Sequence, residues 1–218
     1  MKPHVRVLGI DDSPFGFKDE RALVVGALVR VPNYLESVMT TEVEVDGTDA
    51  TDKLVEMIQR SRYRDQIKAI MLDGIALAGF NIVDSTRLHN TLHTPIIVVC
   101  REKPDNLSVK RALQKHFTDW EKRWELVRKF GRIYSFAPKP SEQPLHFEAV
   151  GISAAHAKKV ISAYCATSRI PEPIRVAGIV AKGLAISGAE LNARRHEVGD
   201  AKLQRLKVHY REQTRRRL

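Results

Sequence analysis

Acidic side chains stand at three places where an apolar segment of the chain ends. These are Asp11 and Asp12 in VLGIDDSPFGF (residues 7–17), Asp46 and Asp49 in VDGTDAT (45–51), and Asp73 in IMLDG (70–74). Buried carboxylates gathered from separate strands of one sheet cannot all ionise unless a cation compensates them, and oxygen-only donors suit magnesium or manganese. The chemistry open to such a cluster is two-metal hydrolysis of a phosphodiester, with ions about 3.5–4 Å apart serving the attacking and the leaving oxygen. Asp beside Ser, Pro and Gly is equally the composition of a turn, and Asp49 in GTDAT can do no more than cap a helix. Residue types alone leave both readings open.

The elements that must bring these acids together follow from hydrophobic periodicity. Residues 5–11 and 22–31 are β-branched, apolar runs joined by a loop containing Pro and Gly, the pattern of an antiparallel hairpin. Residues 41–46 alternate Val with acids, as in a strand with one wet face. Thr48 or Asp49 then caps a helix whose buried stripe is Leu54, Val55, Met57 and Ile58. Residues 67–73 and 95–100 read as buried strands, separated by the loop 75–81 and a helix at 84–92. The order β-β-β-α-β-α-β predicts an α/β fold with a mixed five-stranded sheet, its first three strands antiparallel, flanked by helices. Further on, residues 105–130 form a polar helical stretch. Trp120 and Trp124 share one of its faces, a spacing that more often makes a packing seam than a ligand platform. A short strand at 145–151, a helix at 153–166 and a last helix at about 173–186 complete a domain over residues 1–192. Residues 193–218 form a basic C-terminal tail or terminal helix.

Composition narrows the partners. Of 218 residues, 43% are hydrophobic and 28% charged, which excludes wholesale disorder. Lys and Arg number 36 against 26 Asp and Glu, a net charge of +10 that suits a polyanion such as DNA or RNA. Cys100 and Cys165 have no CxxC spacing, so neither a zinc ribbon nor a disulfide framework is expected. No apolar stretch approaches a membrane span, and the expected location is the cytoplasm. Gly74, Gly79 and Asn81, in a loop after a strand, let a ligand or metal approach the backbone, although the loop lacks the spacing of a nucleotide-cradling P-loop.

Two longer segments, IMLDGIALAGFNIVDSTRLHNTLHTPIIVVCREK and RIPEPIRVA, resemble endonuclease V, an RNase H-like nuclease family, within a match that spans most of residues 5–186. The combination of GIDDSPF, VDGTDAT, MLDGIALAGFNIVD and RIPEPIR resembles more closely the archaeal proteins grouped as domain of unknown function 99, relatives of endonuclease V. The resemblance implies an RNase H-like fold and a Mg2+- or Mn2+-dependent endonuclease acting on DNA or RNA. It makes Asp11, Asp49 and Asp73 the catalytic metal ligands, with Asp12 and Asp46 as further acids of the metal site. Arg101 takes the place of a Lys that faces substrate phosphate, and Gly74, Gly79 and Asn81 lie beside the substrate. Asp49 stands for a Glu at the start of the nuclease's first helix, with Asp46 and Asp52 as alternatives. Two features depart from that family. Where it has a His after a Gly that follows the late strand, Gly151 is here followed by Ile152, and its wedge segment is not recognisable in residues 31–47. The alternative expectation is therefore a catalytically inactive nucleic-acid-binding or protein-interaction module that kept the nuclease fold.

Overall fold

A computed structural model describes residues 5–186 apart from Phe17, Pro32, Pro140, Ser141 and Thr167. Residues up to Lys182 make one compact unit and a second begins at Gly183. The expected boundary at 192 and the basic tail lie outside the described residues.

The chain starts with β1 (Arg6–Asp12), β2 (Arg21–Arg30) and β3 (Tyr34–Glu44), an antiparallel meander. β3 begins earlier than the Val-acid alternation indicates, because it pairs with β2 from Arg30↔Tyr34 to Arg21↔Glu44. Helix α1 (Ala50–Gln59) leads into β4 (Ile67–Asp73), and α2 (Ser85–Leu92) into β7 (Ile96–Cys100). Between β4 and α2, the loop 75–81 carries a two-strand hairpin, β5 (Ala76–Leu77) with β6 (Asn81–Ile82). β4 lies parallel to β1, and β7 parallel to β4, which is the mixed five-stranded sheet the sequence predicts.

Two more strands extend that sheet. β9 (Leu145–Val150) runs antiparallel to β7, and β8 (Tyr134–Phe136) antiparallel to β9, giving the order β3-β2-β1-β4-β7-β9-β8. The three residues of β8 are too few for alternation to register. The stretch 105–130 is two helices, α3 (Asn106–His116) and α4 (Trp120–Lys129). They break where Phe117 takes extended angles and packs its ring on Phe80 and under the Arg123 guanidinium.

Alternation along the strands sends side chains to two cores. Leu8, Ile10, Ile70, Leu72, Ile96 and Val98 face α1 and α2. Val7, Ala69, Met71, Ile97 and Val99 face the other way, towards α5 (Ala154–Tyr164) and α6, residues 172–186. Tyr164, fully buried in this second layer, donates its hydroxyl to the carbonyls of Val5 (2.7 Å) and Val29 (3.2 Å). α6 is seated directly on β1 because β1 presents Gly9 there. A Cβ at Gly9 would lie 2.1 Å from the carbonyl carbon of Pro173 and 2.4 Å from the Ile174 nitrogen. Both obstacles are backbone, so no rotamer change relieves them. Gly9→Ala is expected to destabilise the fold by about 3 kcal/mol or more, read from the urea unfolding midpoint.

Candidate active site

Asp11 and Asp73 end neighbouring parallel strands. The register Ile10↔Leu72 sets them side by side, and the pleat aims both to the face covered by α5 and α6, since they follow Val7–Gly9 and Ala69–Met71 at steps of two. The Asp11 carboxyl is pushed up to about 7, first by burial and next by the charge of Asp73. Asp12 adds to the rise, while the Asp12 amide and Arg101 oppose it. The Asp12 N–H donates to Asp11 Oδ1 at 2.9 Å. α6 closes over the other oxygen at Gly178, where a Cβ would lie 2.3 Å from Asp11 Oδ2, so the carboxylate occupies the room a side chain would take. The Asp73 side chain is 16% exposed, and its Oδ2 accepts from Arg101 Nη2 at 2.6 Å. Arg101 follows β7 and is exposed, free on its outer side to meet solvent.

Asp12 points to the opposite face. Its Oδ2 accepts the Ala78 N–H at 2.6 Å and so ties the end of β1 to the loop after β4; burial raises its pKa. Asp46 and Asp49 are engaged with that same loop. Asp46 adopts a positive φ of 55°, which Asp tolerates better than most residues. Its Oδ1 accepts the Phe80 N–H at 2.8 Å, and Gly79 is fitted against it, because a Cβ there would lie 2.2 Å from Oδ1. Asp49 Oδ1 accepts from Asn81 Nδ2 (2.6 Å) and from the Glu44 N–H (3.1 Å). Asn81 Oδ1 in turn takes the Ala50 N–H at 3.0 Å, so a residue far along the chain satisfies the start of α1, where Asp49 makes no side-chain cap bond. Asp52 pairs with Arg87 on the surface. Gly74 (φ +83) opens the loop beside Asp73, with clear space where a side chain would be. Ile152 packs against the second core layer.

The residues named from sequence thus fall into two groups. Asp11, Asp12, Asp73 and Arg101 interact electrostatically at the strand ends, whereas Asp46, Asp49, Gly79 and Asn81 form a hydrogen-bonded brace. No set of three His, Cys, Asp or Glu side chains stands ready-made to hold a metal ion among the described residues. The chemistry of Asp11 and Asp73 nevertheless fits a hard divalent cation. Both are oxygen donors on partly buried side chains, and with both ionised their charge exceeds that of the single Arg101 guanidinium. Magnesium is commonly held by one or two carboxylates with water or phosphate completing its shell.

Two buried charged residues escape the sequence reading. Arg123, 7% exposed, donates from Nη1 to the carbonyls of Phe80 (2.8 Å) and Gly47 (2.9 Å) and from Nε to Asp119 (2.8 Å), locking α4 onto the brace. Glu148, 4% exposed, accepts from the Gly131 N–H (2.6 Å) and Ser85 Oγ (3.3 Å), and burial raises its pKa. A lone acid inside LHFEAV was the available signal for Glu148; nothing in WEKRWELVRK distinguishes Arg123 from its charged neighbours.

A mixed sheet in the order β3-β2-β1-β4-β7, with acids closing β1 and β4, has the RNase H-like fold. Residues 3–185 match the family model described as Endonuclease dU, and the chain belongs to that family. It is 41% identical over 187 residues to a UPF0215 protein of Methanothermobacter thermautotrophicus, covering 85% of this chain and 90% of that one. A protein of unknown function from Archaeoglobus fulgidus has a similar structure, with TM-score 0.73 and 36% identity over 83% of this chain and 98% of that one. The fold is also that of Ciona intestinalis endonuclease V, solved with DNA containing an inosine followed by a ribo-adenosine. There the TM-score is 0.54 and the identity 17%, over 80% of this chain and 83% of the other. No helix among the described residues is long and apolar enough to cross a membrane.

The raised Asp11 carboxyl has a consequence for the metal-free protein. Between its ordinary 3.8 and about 7, the folded chain keeps a proton that the unfolded chain has released. Stability therefore falls as pH rises through that window and stays at the lower level above it. Asp11→Asn removes the effect. The variant should gain on the parent by on the order of 2–4 kcal/mol between about pH 4 and pH 8, measured as the shift of urea midpoints in EDTA.

Proposed function

We propose that this chain is a magnesium- or manganese-dependent endonuclease that hydrolyses phosphodiester bonds in DNA at or near deoxyuridine, the nucleoside that the family's description names. The observation that carries this reading is the placing of Asp11 and Asp73 on adjacent strand ends, where burial first and the charge of Asp73 next push the Asp11 carboxyl up to about 7. Two ionised carboxylates in that position favour a divalent cation, and an ion of the magnesium class held there would polarise the scissile phosphate and favour ionisation of the attacking water. Asp11 and Asp73 are the proposed ligands. Asp12 holds the loop after β4 against the site through Ala78, and Arg101 turns from Asp73 towards substrate phosphate. Gly74 leaves room for the approaching backbone of the nucleic acid. Asp46, Asp49, Gly79 and Asn81 act from the brace, where Asp49 spends its Oδ1 on Asn81 and the Glu44 N–H.

That engagement favours a second reading. If Asp49 serves the brace alone, the site has two carboxylates and no third from the start of α1, and the chain is a nucleic-acid-binding module that kept the fold without the cleavage. Incubation with matched oligonucleotides containing deoxyuridine, inosine or neither separates the two. Cleavage of the deoxyuridine strand is expected in Mg2+ or Mn2+, absent in EDTA, and reduced about 100-fold or more in Asp11→Ala and Asp73→Ala. Cleavage that survives Asp73→Ala contradicts the assignment, and DNA binding with no cleavage by the parent establishes the module. Arg101→Ala should raise KM for the oligonucleotide roughly tenfold while disturbing kcat less, since it removes a contact to phosphate in bound substrate.

A further inference from the structure

The α3–α4 pair is not consumed by the candidate site. Its inner side is apolar, with Leu113, Val127 and Ile82 at its centre and Trp120 and Trp124 packed only partly against them. The remaining surface of both indoles lines an open groove of about 580 Å3, together with Lys110 from α3 and Arg128 and Lys129 from α4. Two carboxylates, Glu121 and Glu125, share the lining, so the cations outnumber them. Lys129 also lines a second groove that runs on to Arg87 and Asn90 of α2. Asp84, which also lines it, pairs with Lys129, and Arg87 pairs with Asp52. Both indoles are half-buried, with Lys110, Arg128 and Lys129 beside their open surface.

We propose that this groove is a stacking platform for the unpaired bases of single-stranded nucleic acid. This rests on the reading of the chain as a nucleic-acid enzyme and narrows its substrate to strands whose bases are free to stack. Aromatic side chains stack any base while neighbouring cations track the phosphates, and the two indoles four residues apart on α4 supply adjacent surfaces of this kind. Lys110 Nζ, 5.5 Å from the centre of the Trp124 ring, holds a place that a base takes over, leaving the ammonium for a phosphate. The platform is fixed to the rest of the site. Arg123 on the same helix is bonded to Phe80 in the loop after Asp73, and α3 starts just beyond Arg101.

The chain has two tryptophans, so its indole emission reports this groove alone. The full chain is titrated in EDTA with oligo(dT) of about 12 nucleotides and with a duplex of equal length. A saturable quench by oligo(dT), weakened by salt, is expected, with the duplex bound at least about tenfold more weakly. Anisotropy of a labelled oligo(dT) should show Trp124→Ala weakening binding roughly tenfold and Trp124→Phe keeping it within about threefold, both with parental circular dichroism. No quench by oligo(dT), equal duplex affinity, or a Phe variant as impaired as the Ala variant overturns the proposal. Because divalent ions are absent, the outcome does not depend on cleavage. Cleavage without quenching removes the platform and leaves the nuclease reading standing, and quenching without cleavage does the reverse.

Discussion

The structure turns on one unfavourable contact: a carboxyl on β1 held in a mostly buried position beside a second carboxyl on β4. Burial first and Asp73 next push the Asp11 carboxyl up to about 7. Arg101 offsets part of the charge from the outer side of Asp73. An ion bound by both acids would remove the rest of the penalty. The unfavourable charge is concentrated where two parallel strands end.

Close packing keeps the two acids in that position. Gly9 lets the start of α6 rest on β1, and Gly178, further along the same helix, leaves room for the Asp11 carboxylate beneath it. Arg175 and Glu172 hold the first turn of that helix with a two-bonded ion pair, Nε and Nη2 each 2.7 Å from a Glu172 oxygen. On the other face, Asp12, Asp46, Asp49 and Asn81 bind the loop after β4 to the start of α1, and Arg123 anchors α4 to the same loop. The site is therefore clamped from both sides of the sheet.

How much of this is legible in the sequence depends on the distance over which each interaction acts. The meander, the parallel β4 and β7, and the placing of Asp11 and Asp12 on opposite faces follow from local alternation, which the chain states directly. The ion pair of Glu172 with an Arg in RIPEPIR is likewise local. The use of Asp49 is not. Spacing offers it as a helix cap or a ligand, yet Asn81 both binds it and takes over the capping, a contact between residues more than thirty positions apart. Arg123 reads as one more charge on a polar helix, although its guanidinium is enclosed among carbonyls of two other segments. Gly178 shows the limit most plainly, since only the fold reveals that the helix passes over a carboxylate there.

The most direct test of the account is a crystal soaked in Mn2+, with data collected at the manganese absorption edge. An anomalous peak coordinated by both Asp11 and Asp73 is expected, with Arg101 moved off Asp73. A peak held by Asp46 or Asp49 without those two residues, or no peak at saturating Mn2+, contradicts it.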